Sequence, residues 1–355
     1  MTIWTFITFV LGFVLLVQGA EALVRGASKL ASAVGLPPLA VGLTIVAYGT
    51  SAPELSVSLT SIFNDQASLA IGNAIGSNIT NILLILGICA VIAPVAVLQQ
   101  VIQIDIPVMI LTTALLLPMG LDGQFDRLDG VILLAIALAY TISTANRSSN
   151  DPQSESDPDP PNQSYRTIVI SLLQISLGTG MLVVGSHWLV KGAVAIATAL
   201  GVDELVIGLT VIAVGTSLPE LAASVVATLK GERDMAIGNV IGSNICNVVF
   251  VLGLPTLMTS EAVLVASEAM QINIPFALAV ECFCLPIAFT GYVISRWEGF
   301  LFLFYYIAYI TYLILRATDS STLPLFVVVM LKVVIPITIL VLSLSTLHAI
   351  RTKSN

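Results

Sequence analysis

The chain has 355 residues, 57% of them hydrophobic and only 10% charged, whereas a soluble domain needs roughly 25% charged residues to cover its surface. With a mean hydropathy of +1.01, these values exclude a water-soluble globular protein and require a surface that faces lipid. The net charge of −8 does not mark a basic partner: four of the acids fall in residues 150–161 (NDPQSESDPDPP), which lack any apolar period and read as a disordered linker.

Eleven apolar stretches are long enough to span a bilayer as helices: approximately 4–24, 39–62, 69–94, 104–121, 128–145, 167–190, 204–228, 235–258, 270–290, 298–315 and 324–348. Helix is the required choice, because lipid offers no partner to a strand edge and no stretch alternates with a period of two. The first stretch ends near GAEA, which resembles a signal-cleavage site. It lacks a basic region in front, and its end recurs in mid-chain, so it reads as a retained helix. Glu21 and Arg25, four apart near its end, read as a local ion pair.

The second stretch carries GTSAPE, with Glu54 in its middle. Pro53 has no N–H, and its ring collides with the carbonyl of Gly49, so the helix is expected to kink and free oxygens there. Thr50 and Glu54, four apart, share a face. In the third stretch Asn73, Ser77 and Asn81 form a polar stripe, and Gly72, Gly76 and Gly87 permit close helix approach. Asp105, at the start of the fourth, reads as a helix cap. After the linker, the seventh stretch repeats the pattern with Thr216, Pro219 and Glu220 in GTSLPE, and the eighth with Asn239, Ser243 and Asn247. Asn273 at the start of the ninth again reads as a cap. Glu281 within the ninth has no acidic counterpart near Thr113, and reads as a solvated or lipid-interface residue or as one paired to another helix. Cys89, Cys246, Cys282 and Cys284 follow no metal spacing and read as buried apolar thiols.

These echoes are one repeat. The segment beginning GAEALVRGASK at Gly19 returns at Gly185 as GSHWLVKGAVA, and GNAIGSNITNILLILG (from Gly72) returns as GNVIGSNICNVVFVLG (from Gly238), both 166 residues on. QIDIP (103–107) returns as QINIP (271–275). Each copy holds five spans, an odd number, so the second enters the membrane inverted, a common design of secondary transporters. The expected fold is an all-α polytopic membrane protein of two inverted five-helix repeats, with an extra C-terminal transmembrane helix. The expected boundaries are 1–146 for the first repeat, 147–166 for the linker, 167–317 for the second repeat and 318–355 for the added helix and tail. With the N-terminus outside, nine Lys and Arg residues lie on the cytoplasmic side against three outside, which puts the linker and C-terminus in the cytoplasm of a cell-membrane protein.

A carboxylate inside the bilayer costs several kcal/mol, from about 2.5 upward, so it faces a cavity or a partner. Glu54 and Glu220, at equivalent positions beside freed carbonyls and hydroxyls, supply the oxygen set that Ca²⁺ prefers. The paired GLTIVAYGTSAPE and GNAIGSN motifs, with their second copies GLTVIAVGTSLPE and GNVIGSN, resemble the alpha repeats of the calcium/cation antiporter superfamily, in its sodium/calcium exchanger branch with bacterial and archaeal members. The resemblance covers nearly all of residues 1–317. It implies alternating access by sliding of the first and sixth helices, and a diamond of four cation sites. It implies that Glu54 and Glu220 bridge the central sites, with Thr50, Thr216 and the carbonyls of Ala47 and Ala213 as further ligands. Ser51, Ser77, Ser217, Ser243, Asn81 and Asn247 complete the shell.

Several members of that family carry aspartate where this chain has Asn247, so the site holds two formal negative charges rather than three. A stoichiometry other than three Na⁺ per Ca²⁺, or a contribution from protons, is the expectation. The proton/calcium branch carries a glutamate within GNxxE, and GNAIG and GNVIG lack it. The function expected is therefore Ca²⁺ for Na⁺ antiport, with proton-coupled antiport of Ca²⁺ or another cation as the alternative and a cation channel behind it. No HExxH or GxSxG is present, and neither His187 nor His348 has a usable nucleophile or second ligand, which argues against an enzyme. No cofactor, nucleic acid or obligate protein partner is expected. The partners are inorganic cations (Ca²⁺ and Na⁺, with H⁺ or K⁺ open) and the lipid bilayer.

Overall fold

The computed structural model describes residues 3–149, 165–201, 207, 211, 213–289 and 291–353; the acidic stretch 150–161 lies outside the described residues. Nine helices there are long and apolar enough to cross a membrane. In chain order the elements are α1 (Ile3–Val34), α2 (Pro38–Thr50), α3 (Ala52–Phe63), α4 (Ala67–Ile92), α5 (Val101–Asp122), α6 (Arg127–Ser149), α7 (Tyr165–Ala199), α8 (Ala213–Gly215), α9 (Leu218–Leu229), α10 (Arg233–Met258), α11 (Ala269–Phe289), α12 (Arg296–Ala317) and α13 (Leu323–Ser345).

The second and seventh expected spans are not continuous helices. The first breaks at Ser51 (φ −78°, ψ 8°), between α2 and α3, and the other at Ser217 (φ −84°, ψ 7°), ahead of α9. In both, a proline occupies the second position after the break, where its missing N–H costs least. The expected kink is thus a full interruption. A broken helix at membrane depth is stable only where protein or a cavity surrounds it.

That surrounding is supplied by α4 and α10, which are 72% and 83% buried over their apolar windows, against 11% for α12 and α13. The outer helices turn large side chains such as Leu111, Leu138, Ile307 and Leu340 outward, as a lipid-facing surface requires. α1 and α7 pack antiparallel along a seam of small residues: Gly12 meets Gly185, Gly19 meets Gly178, and Gly26 meets Ser171. A Cβ on Gly178 would lie 2.6 Å from the Leu23 nitrogen, so only glycine permits this backbone contact. On α10, a Cβ on Gly242 would lie 2.5 Å from the Leu43 carbonyl oxygen of α2. The repeat partners of Leu39 and Leu43 are residues 205 and 209, outside the described residues, so the close approach expected of Gly72 and Gly76 is not described. Two short antiparallel pairs, Val95–Ala96 with Val293–Ile294 and Gln124–Phe125 with Val263–Leu264, tie the loops of one sequence copy to those of the other.

Candidate functional site

The helix breaks bring two carboxyl groups into the protein interior. Glu54 and Glu220 fall in the first turns of α3 and α9, where the positive end of the helix dipole favours anionic charge, and both are 0% exposed. Hydroxyls from the opposite sequence copy and from α4 reach them. Ser51 Oγ donates to Glu220 Oε1 at 3.2 Å, Ser77 Oγ donates to Glu54 Oε1 at 3.4 Å, and Ser217 Oγ donates to Ser77 Oγ at 3.1 Å. The second oxygen of each carboxyl, Oε2, has no hydrogen-bond partner among the described residues.

Asn73 and Asn239 brace these turns. Asn73 Nδ2 donates to the Glu54 carbonyl (3.2 Å) and to Ser58 Oγ (3.3 Å), and Asn239 Nδ2 donates to the Glu220 carbonyl (3.4 Å) and to Ser224 Oγ (2.9 Å). Thr50 Oγ1, fully buried, donates to Asn239 Oδ1 at 3.2 Å and lies 3.5 Å from Ser243 Oγ. The Ala47 carbonyl accepts the Ser51 N–H at 3.0 Å and lies 3.3 Å from Thr50 Oγ1. Thr216 sits in the second break and is half-buried, unlike Thr50, and Ala213 opens the short helix α8.

Asn81 and Asn247 each open a π-helical turn, Asn81–Leu86 and Asn247–Leu252, a distortion common at functional positions. Asn81 Nδ2 donates to Asn244 Oδ1 at 2.9 Å and Asn247 Nδ2 donates to Asn78 Oδ1 at 3.1 Å. Asn78 and Asn244 in turn each donate to the other's backbone carbonyl, at 3.2 and 3.3 Å. The Oδ1 atoms of Asn81 and Asn247 are left without a partner among the described residues. Asn78 and Asn244 were missed in the sequence because they stand one position off the four-residue stripe. The signal was present in the repeated GSN triplet, of which the stripe used only the serine.

Hydrogen bonds therefore gather Thr50, Ser51, Glu54, Ser77, Ser217, Glu220 and Ser243 into a cluster on two broken helices and the two helices that cross them, while Asn81 and Asn247 lie one turn beyond Ser77 and Ser243 in the asparagine network. The hydrogen-bond partners of its carboxyl groups are hydroxyls, with no basic side chain among them. Oxygen donors of this kind suit hard cations such as Na⁺ and Ca²⁺ rather than soft metals.

Other expectations change. Of the readings given for Glu281, pairing to another helix holds and the solvated and lipid-interface ones do not: it is 0% exposed and accepts hydrogen bonds from Thr113 Oγ1 (3.0 Å) and Asn78 Nδ2 (3.2 Å) on neighbouring helices. Asp105 and Asn273 are not caps. Each ends a π-helical turn that runs directly into more helix, so no free N–H awaits a side chain. Asp105 instead accepts from Tyr140 Oη at 3.1 Å and pairs with Arg147 at 3.3 Å. Cys89, Cys246 and Cys284 are buried, whereas Cys282 is exposed. Glu21 pairs with Arg25 at 2.6 Å as expected, and also with Lys230 at 3.2 Å.

Comparison with known proteins is consistent with this arrangement. The family model described as sodium/calcium exchanger protein matches residues 4–145 and 170–315. A putative antiporter, CaxA, of Alkalimonas amylolytica is 37% identical over 269 residues, 74% of this chain and 83% of its own. The sodium/calcium exchanger MaX1 of Methanosarcina acetivorans is 30% identical over 301 residues, 75% of this chain and 85% of its own. Among solved structures, the sodium-calcium exchanger NCX_Mj superposes with a TM-score of 0.76 at 33% identity, covering 88% of this chain and 99% of its own. The chain belongs to the sodium/calcium exchanger family: it is a multi-pass membrane transport protein and not an enzyme.

Proposed function

We propose that the protein is a secondary active antiporter that exchanges Ca²⁺ for Na⁺ by alternating access, with its cation site at the bilayer midplane between Glu54 and Glu220. The observation that carries this reading is a set of four buried oxygens without a donor among the described residues: Glu54 Oε2, Glu220 Oε2, Asn81 Oδ1 and Asn247 Oδ1. Each unpartnered buried polar atom costs about 1–3 kcal/mol. Four at repeat-equivalent positions are best explained by a ligand that compensates all of them, and oxygens that lack donors are what a cation takes. Thr50, Ser51, Ser77, Ser217, Ser243 and the carbonyl of Ala47 complete the site, with Thr216 and the carbonyl of Ala213 as the second-copy equivalents of Thr50 and Ala47.

The architecture we assign is two inverted five-helix repeats, residues 1–146 and 167–317, joined by a cytoplasmic linker at 147–166. The 166-residue offset in sequence and the matching break in each copy support it. Residues 318–355 form an added helix and tail; the family match ends at residue 315, before α13 begins. The charge bias of the loops supports an N-terminus outside the cell membrane and a C-terminus in the cytoplasm.

The decisive measurement is ⁴⁵Ca²⁺ uptake into proteoliposomes preloaded with Na⁺, compared with choline loading and with an imposed pH gradient. The expected result is uptake from Na⁺-loaded vesicles only. Uptake driven by the pH gradient alone would make the protein a proton-coupled antiporter, and uptake with no counter-ion gradient would make it a channel.

A further inference from the structure

Glu281 lies outside the cluster around Glu54 and Glu220, yet it is fully buried within α11. Its Oε1 accepts from Thr113 Oγ1 at 3.0 Å and from Asn78 Nδ2 at 3.2 Å. Thr113 is its repeat counterpart, because this part of the repeat runs 168 residues on, as QIDIP at 103 and QINIP at 271 do. One copy thus contributes a hydroxyl and the other a carboxyl where the two meet. Glu281 breaks the symmetry that the asparagines otherwise keep.

Asn78 carries that asymmetry towards the cluster. Its amide nitrogen has two hydrogens, one held by the Asn244 backbone carbonyl at 3.2 Å and one by Glu281. A backbone carbonyl can only accept, so the nitrogen is fixed on that side and Oδ1 faces the other. There Oδ1 accepts Nδ2 of Asn247 at 3.1 Å, and Asn247 Oδ1 is turned away from Asn78 with no donor among the described residues. The equivalent relay from Asn81 through Asn244 is made of amides and a backbone carbonyl.

We propose that Glu281 is a positioning residue of the cation site: together with the Asn244 backbone carbonyl it holds the Asn78 amide, and so fixes Asn247 with its oxygen, and not its NH₂ group, towards the cation. The inference rests on the placement of Asn247 in that site. A reversed Asn247 amide would replace an oxygen ligand with the positive end of the N–H dipole. The accepting atom of Glu281 works whether or not the carboxyl is charged, so glutamine can replace it and an apolar chain cannot.

The test is ⁴⁵Ca²⁺ uptake in Na⁺-loaded proteoliposomes, resolved into KM and maximal rate, for Glu281→Gln and Glu281→Met. Each variant is made in the native background and with Asn247→Asp, since an aspartate has no NH₂ group to turn towards the cation; its oxygen would face Asn78 Oδ1 as a second acceptor, a contact that freeing the Asn78 amide relieves. Glu281→Gln is expected to keep the native KM within about twofold, and Glu281→Met to raise it roughly tenfold with a smaller change in maximal rate. With Asp at 247, adding Glu281→Met is expected not to raise KM by more than about twofold, because turning the Asn78 amide then brings a donor to the aspartate. The proposal is overturned if Glu281→Met leaves KM unchanged, if Glu281→Gln is as impaired as Glu281→Met, or if Glu281→Met costs the same factor in both backgrounds. Should Glu281→Met not yield monodisperse protein, Asn78→Ser cuts the relay one step nearer the site and carries the same expectations in both backgrounds. Normal uptake by Glu54→Gln would instead remove the site assignment itself, a different failure.

Discussion

A carboxyl group inside a membrane protein can offset its desolvation with a basic partner, a proton or a bound cation. Asp105 takes the first course, through Arg147. Glu54 and Glu220 meet hydroxyls alone, each on a single oxygen, and leave the other oxygen free of protein donors among the described residues. A hydroxyl can orient a carboxylate but cannot neutralise it, so a proton or a cation is left to balance these two. The same holds for Glu281, whose Oε2 also lacks a donor among the described residues; the repeat-equivalent pair is where we propose the cation. Glu54→Gln and Glu220→Gln keep the shape and remove the charge. We expect each to lower ⁴⁵Ca²⁺ uptake roughly 100-fold or more while the protein still inserts and elutes as a single species. Normal transport by either variant would place the site elsewhere. Thr50 and Thr216, equivalent in sequence, differ here in burial.

The elements that carry these residues are defined by proline and glycine. Pro53 and Pro219 prevent α3 and α9 from continuing the helices before them, which puts both glutamates in first turns. Glycine does the opposite work between α1 and α7, where three contacts spaced seven residues apart keep the two backbones together. With lipid on the outside, such close packing is what holds transmembrane helices together. Gly178→Leu should therefore separate the pair, costing about 1–3 kcal/mol or more, seen as a lower melting temperature and loss of monodisperse protein in detergent. Gly180→Leu, on the same helix but exposed and with nothing within 4 Å of the added Cβ, is the matched control and should be tolerated. Equal damage from both would show that helix propensity or insertion, and not the seam, is responsible.

At the scale of the whole molecule, the two copies meet through asparagines that exchange hydrogen bonds and through strand pairs that cross between copies. The site we propose there holds two carboxylates, which balance one Ca²⁺ or two Na⁺. Three Na⁺ would leave an excess positive charge in a medium of low dielectric constant, where it costs far more than in water. We expect exchange to move less charge than a three-for-one cycle. A potential-sensitive dye in Na⁺-loaded proteoliposomes checks this: a full charge moved per Ca²⁺ would mean that another group, or the cation shell itself, carries the third sodium.

Much of this was legible in the residues. Low charge and long apolar runs demanded a helical membrane protein, and the 166-residue repeat singled out Glu54 and Glu220 in its GTSxPE motifs and Asn81 and Asn247 on its polar stripes. Those signals are local, since they depend on composition, on proline chemistry and on spacing along one helix. What only the tertiary structure decided is what lies opposite each polar side chain. Glu281 reads in sequence as a lone acid with no counterpart, and becomes intelligible only when Thr113 and Asn78, more than 160 residues away, are seen to donate to it. Asp105 looks like a cap until its helix is found to run on unbroken and Arg147 is found beside it. Asn78 and Asn244 sit off the stripe that a single helix defines, and their importance comes from facing each other. Periodicity specifies which face of a helix is polar, but the pairing of polar groups in lipid depends on which faces are pressed together, and folding alone determines that.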